Sequence, residues 1–166
     1  MAAETVMVAS TLDRLSAGQA LDKLPPHMTY MAWFELPDNE REAFASLVQE
    51  ITEEYRPPRP QVGDPEKFGN DERGFTHVRR LDGLVAGFNP ILDFQPHAAL
   101  HGFVSHVDPQ FDDTYFGVVW HPHTESLESS PLIEGDVIAI DNLTIFRKDR
   151  TLGKKVVEAV YPWERP

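Results

Sequence analysis

Prolines bracket the stretch that most constrains how this chain can fold. Pro25-Pro26 stop whatever precedes them, the apolar run His27-Met28-Thr29-Tyr30-Met31-Ala32-Trp33-Phe34-Glu35-Leu36 follows, and Pro37 closes it. Side chains on a β-strand alternate between two faces. Met28, Tyr30, Ala32, Phe34 and Leu36 therefore make one face, apolar enough for a core, while His27 and Thr29 stand side by side on the other. A hydroxyl that can bond a phosphate oxygen and an imidazole that titrates near neutrality then share one surface with an anchored back. In residue type and spacing this is half of a phosphate site.

The neighbouring segments can be read in the same way. A strand is expected at residues 5–10, and residues 11–24 make a short helical or irregular connection. After Pro37, the spacing of Phe44, Leu47, Val48, Ile51 and Tyr55 predicts an amphipathic helix over 39–55. Asn39 and Glu42 have capping-box spacing at its start, and its apolar stripe should lie on the Met28/Tyr30/Phe34 face. Residues 56–74, rich in proline and glycine, predict a long loop inside one domain. Strands are expected at 75–81, 84–88 and 115–120, and 97–107 suits either a strand or a short helix. Residues 137–146 and 154–161 should form a closing hairpin around 149–153. The sum is an α+β chain of about seven strands and one to three helices. A length of 166 residues suits a single domain, 1–166, with one sizeable core.

A second histidine-rich segment, Trp120-His121-Pro122-His123-Thr124-Glu125-Ser126, stands at the end of the predicted 115–120 strand. With the phrase LPPHMTYMAWFEL, the opening strand TVMVAS, the helix after the first motif and the ending GDVIAIDNLTIFRKDRTLGKKVVEAVYPW, the chain resembles the two-histidine phosphoesterase superfamily over nearly its whole length. That superfamily includes the LigT-like and 2′-5′ RNA ligase-like proteins. The resemblance implies two pseudo-symmetric lobes of antiparallel sheet backed by helices, with a central cleft to which each lobe brings one histidine motif. It implies a mechanism without metal or other cofactor. One histidine takes a proton from the attacking hydroxyl or water, the other protonates the leaving oxygen, and nearby hydroxyls hold the phosphate.

His27 and Thr29 map directly onto the family's first motif. Pro122-His123 maps onto the second, with a departure: the family places the hydroxyl two residues after the histidine, whereas here Thr124 follows at once and Glu125 takes the next position. A bulge would bring Thr124 into phase; otherwise Ser126 or a backbone N–H holds the phosphate. The expected catalytic pair is His27 and His123, with Thr29, Thr124 and Ser126 binding substrate. His121 is the alternative second histidine, and Pro96-His97, which lacks the hydroxyl, is a further register.

Composition narrows the partner. The formal net charge is −12, and several of the few basic residues cluster at Arg79-Arg80, Arg147-Lys148-Asp149-Arg150 and Lys154-Lys155, where solvation of turns and strand ends accounts for them. A protein gripping long nucleic acid needs a basic face. The expected partner is therefore a small nucleotide or short oligonucleotide, with Phe68 or Trp33 to stack on a base. The chain has no cysteine, which excludes disulfides, thiolate chemistry and sulfur-ligated zinc. No apolar stretch approaches the ~20 residues of a membrane span, and MAAETVMVAS lacks the features of a signal peptide, so a cytoplasmic location is expected. Two other classes compete. His121, His123, Glu128 and Gly135 fit the spacing of the first motif of a metal-binding cupin, although no histidine follows His123 to complete the barrel's second motif. A catalytically inactive nucleotide-binding module is the other.

Overall fold

The computed structural model describes residues 2–57, 59–72, 74–82, 95–111, 123–125 and 132–164. In chain order its elements are β1 (Ala3–Thr11), β2 (Ala20–Leu21), β3 (His27–Pro37), α1 (Arg41–Glu54), β4 (Gln61–Asn70), β5 (Gly74–Asp82), α2 (Gln95–Val107), β6 (His123–Glu125), β7 (Asn142–Asp149) and β8 (Lys154–Pro162). The strands form two sheets, one in the order β2-β8-β7-β1-β3 and a smaller one in the order β4-β5-β6. All named pairings are antiparallel. The fold class is thus α+β, as expected. The predicted strands at 84–88 and 115–120 lie outside the described residues.

β3 carries the core of the larger sheet, with a refinement of its predicted alternation. Its register against β1 slips by one residue between Phe34 and Met31 and again between Met31 and Thr29. Each slip inserts one extra residue into β3, as in a β-bulge. The first shifts the alternation and the second restores it. Tyr30 and Met31, though adjacent, are both fully buried in the main core beside Met28, Phe34 and Leu36, while Ala32, expected in that core, is only half-buried. On this side of the sheet lie α1, through Phe44, Val48 and Ile51, and α2, through Leu100 and Val104. Val62 and Leu81 of the smaller sheet join the same cluster, so one core holds both sheets together. A second, smaller cluster lies on the other side of the larger sheet: Met7, Ala9, Phe146 and Val157, with Trp33, Leu15, Leu21, Leu24 and Val160 packed on it.

Two local expectations change. α1 forms, but without the Asn39/Glu42 capping box. Asp38–Glu40 is a 3-10 turn, the N-cap is Glu40, and no side chain bonds the first helical N–H groups. Asn39 lies inside that turn and lacks the extended backbone that a capping residue needs. Residues 61–70, predicted as loop, are β4. Pro65 stands on an edge strand at a register shift between Val62 and Pro65, the setting in which a strand accepts proline. The connection 11–24, expected as helical or irregular, is irregular apart from the two-residue strand β2. The ambiguous stretch 97–107 lies in α2, and the closing hairpin is β7–β8, which begins at Asn142. At its tip the N–H groups of Leu152 and Thr151 donate to Asp149 Oδ1 at 2.9 Å each and hold that carboxyl below its ordinary pKa.

Phe34 meets Phe44 edge-on at 5.3 Å between ring centroids and Phe111 at 6.5 Å, and is only 2% exposed. Phe34→Ala removes the ring that joins β3 to α1 and to the turn that follows α2. It should lower the unfolding free energy by about 3–5 kcal/mol, read from urea denaturation.

Candidate active site

The first histidine motif is built by the start of β3. His27 pairs with Thr11 and Thr29 with Ala9 across to β1. Directly opposed residues of an antiparallel pair share a face, and Ala9 belongs to the smaller cluster. His27 and Thr29 therefore stand together on the side of the sheet away from α1 and α2, both half-buried, as the alternation predicted. Trp33 packs against that same cluster, and the Lys148 ammonium lies 4.7 Å above its ring centroid.

The His27 ring is oriented by the chain that leads into it. Nδ1 lies 2.7 Å from the Pro25 carbonyl oxygen. A carbonyl only accepts, so Nδ1 is the N–H donor, and in the neutral ring the lone pair sits on Nε2. The tautomer is thus fixed by a proline carbonyl two residues upstream. Pro26 contributes as well: the Leu12 N–H donates to its carbonyl at 3.2 Å, tying the entry to β3 against the end of β1.

The second motif reaches the structure through β6. His123 pairs with Arg80, Thr124 with Arg79 and Glu125 with Val78. β6 also comes within 8 Å of β3, Cα to Cα, so the strands carrying the two histidine motifs are neighbours. No register shift interrupts the β5–β6 pairing, and Thr124 is buried, 1% exposed, opposite the half-buried Arg79. The bulge that would bring Thr124 into phase with His123 is not found within these pairs. His121 and Ser126 lie outside the described residues, as do the side chains of His123 and Phe68. Sequence reasoning assigned Arg79-Arg80 to solvation. Register instead sets them opposite Thr124 and His123, and Arg79 Nη1 donates to the Gly63 carbonyl at 3.4 Å. Two adjacent arginines within a predicted strand, not at its end, were the available signal.

His97 has a different place. It is buried in α2, 4% exposed, on the core side of β3, and its Nδ1 donates to the Tyr30 carbonyl at 2.8 Å. Tyr30 is the extra residue of the second bulge. His97 and His101 stack at 6.1 Å. Among the described residues no three His, Asp or Glu side chains are grouped to hold a metal, and none of the described helices is long and apolar enough to cross a membrane.

No protein-family model matches the sequence, and no curated protein matches it. Solved structures do. TT0787 of Thermus thermophilus superposes with a TM-score of 0.61 at 12% identity, over 97% of this chain and 98% of that one. E. coli LigT complexed with 3′-AMP gives 0.60 at 14% identity, over 99% and 100%. E. coli LigT complexed with NADP+ gives 0.52 at 16% identity, over 97% and 95%. The fold is LigT-like. A protein described as a phosphoesterase, at TM-score 0.52 and 14% identity, shares it over 99% of this chain. At these identities the likeness is one of fold, and it covers the whole LigT-like architecture, both sheets included.

His97→Ala takes from the Tyr30 carbonyl a buried donor, and should cost about 1–3 kcal/mol of stability while turnover per folded molecule stays near the parent's. Urea denaturation and an activity assay on the same preparation check this. Lost turnover at unchanged stability would instead bring His97 into the chemistry, as the Pro96-His97 register implied.

Proposed function

We propose that this LigT-like protein is a metal-independent phosphodiesterase acting on a small nucleotide phosphodiester, with His27 and His123 as the two proton-transfer groups. The substrate class is a 2′,3′-cyclic phosphate, a 2′-5′ linkage or a cyclic oligonucleotide. The observation that carries the reading is the first motif: an imidazole locked by Pro25 into the tautomer with its lone pair on Nε2, beside a hydroxyl on the same strand face. The ligands of the similar solved structures, 3′-AMP and NADP+, are small nucleotides and support that scale of substrate.

In the proposed reaction one histidine, neutral, takes a proton from water as the water oxygen forms a bond to phosphorus. The bond from phosphorus to the leaving sugar oxygen breaks, and the second histidine, protonated, gives its proton to that oxygen. A phosphomonoester and a free hydroxyl result, and solvent exchange resets both imidazoles. Each proton-transfer group is worth ~10²–10⁴ in rate. Thr29 holds one phosphate oxygen. Thr124 and Ser126 are the candidates on the second strand. The unbulged β6 pairing leaves Thr124 buried opposite Arg79, which favours Ser126 or a backbone N–H for direct contact.

Turnover of 2′,3′-cyclic mononucleotides, 2′-5′ oligoadenylate and cyclic dinucleotides in the presence of EDTA tests the proposal. His27→Ala and His123→Ala should each lower the rate at least ~100-fold with the fold retained, and His121→Ala should cost less. The pH–rate profile should be bell-shaped, since one imidazole must be neutral and the other charged. Activity lost in EDTA, with a rate still climbing at alkaline pH, would point to metal-bound hydroxide and would falsify the two-histidine mechanism.

Small-substrate binding has its own signature. Each phosphate neutralised steepens the dependence of affinity on salt, so a site holding one to three phosphates should give a log–log slope of about −1 to −2. Titrating inactive His27→Ala protein with a cyclic dinucleotide and with a 20-nucleotide RNA, at several salt concentrations, checks this. Much tighter and steeper binding of the RNA would favour an RNA-processing role.

A further inference from the structure

We infer that Asn142 is a positioning residue for His27, acting through the end of β1; the inference deepens the proposed function and rests on it for its catalytic consequence. The backbone pairing of β1 with β7 runs from Val6 opposite Arg147 to Ala9 opposite Thr144 and stops there. β1 continues for two residues beyond it, Ser10 and Thr11, and these are the residues opposite Met28 and His27. At this point the Asn142 side chain takes over the ladder. Thr11 N–H donates to Asn142 Oδ1 at 3.2 Å, and Asn142 Nδ2 donates to the Thr11 carbonyl at 3.0 Å. The side-chain amide thus pairs with Thr11 as a backbone peptide would.

The rest of the amide is satisfied too. Oδ1 also accepts from Thr144 Oγ1 at 2.8 Å and Thr11 Oγ1 at 3.3 Å, Nδ2 also donates to Asp141 Oδ1 at 2.8 Å, and the Asn142 carbonyl accepts from Ser10 Oγ at 2.6 Å. Ser10, Thr11, Asn142 and Thr144 are all fully buried. Only an amide supplies acceptor and donor from one short planar group: aspartate lacks the donor, and an apolar residue lacks both.

The chain of contacts then runs to the imidazole. Asn142 fixes Thr11, the next residue Leu12 donates to the Pro26 carbonyl, and the preceding carbonyl, that of Pro25, takes the proton on His27 Nδ1. Loosening Thr11 loosens the diproline entry that sets both the place and the tautomer of His27. A displacement of about 1 Å at a proton-transfer group can cost ~10²-fold in rate.

The test compares Asn142→Asp, which keeps shape and loses the donor, and the milder Thr144→Val with Val48→Ala. Val48 is fully buried in α1 on the other side of the sheet and serves as a control for lost stability alone. Two readouts are used: the His27 imidazole signals in ¹⁵N–¹H NMR, and kcat and KM on the best substrate of the panel. For Asn142→Asp, kcat should fall by ~10–100-fold with KM little changed, and the His27 Nδ1–H signal should broaden or give way to a mixture of tautomers. Thr144→Val should show the same changes in smaller measure, and covers the case in which Asn142→Asp does not fold. Val48→Ala should lower Tm with both readouts intact. An unaltered His27 spectrum and kcat in folded Asn142→Asp or Thr144→Val protein, despite a lower Tm, would make Asn142 a fold residue only and overturn the inference. The NMR arm needs no activity: if His27→Ala proved fully active, the proposed function would fail while the effect of Asn142 on the imidazole would still be read.

Discussion

β3 packs into the main core with one face and carries His27 and Thr29 on the other, and its two one-residue bulges decide which residue lies on which side. A strict period of two would send Met31 to the motif face and Ala32 to the core. The insertions at Tyr30 and between Met31 and Phe34 change this, so Met31 is fully buried in the main core and Ala32 only half-buried. A bulge also leaves a residue out of the ladder, and its carbonyl must find a donor elsewhere if buried. Here the Tyr30 carbonyl finds His97 on α2. The helix that covers β3 is thereby pinned to the irregularity it covers, and the stretch from His27 to Thr29 is left as regular strand with its motif face intact.

The first motif was legible because it needs only local information. Two residues two apart on a strand share a face whatever the rest of the chain does, and the flanking prolines set where the strand begins. Helix α1 was legible for the same reason: Phe44, Val48 and Ile51 repeat at helical spacing and are all buried. What the sequence concealed depends on partners distant along the chain. Nothing near Pro65 announces an edge strand at a register shift, because β5 supplies the pairing. Nothing near Tyr30 announces a bulge, because the donor that satisfies its carbonyl is His97, far along the chain in a segment whose own pattern fitted either strand or helix. Asn142 looked like an ordinary strand-start residue, and its role rests on where β1 runs out of backbone partners.

Charge gives the last step. In a chain of net charge −12 most positive groups with described partners are spent on acids: Arg14 on Asp141, Arg41 on Glu4 and Glu158, Arg147 on Glu158 and Asp149, Arg150 on Glu35, Lys154 on Asp22. Such pairs on a wet surface add little stability, but they remove these cations from any continuous basic face. Arg79, like Lys155, differs: its described hydrogen bond goes to a neutral carbonyl, that of Gly63. The register of β5 with β6 sets two arginine positions against the second histidine motif, Arg79 across from Thr124 and Arg80 across from His123.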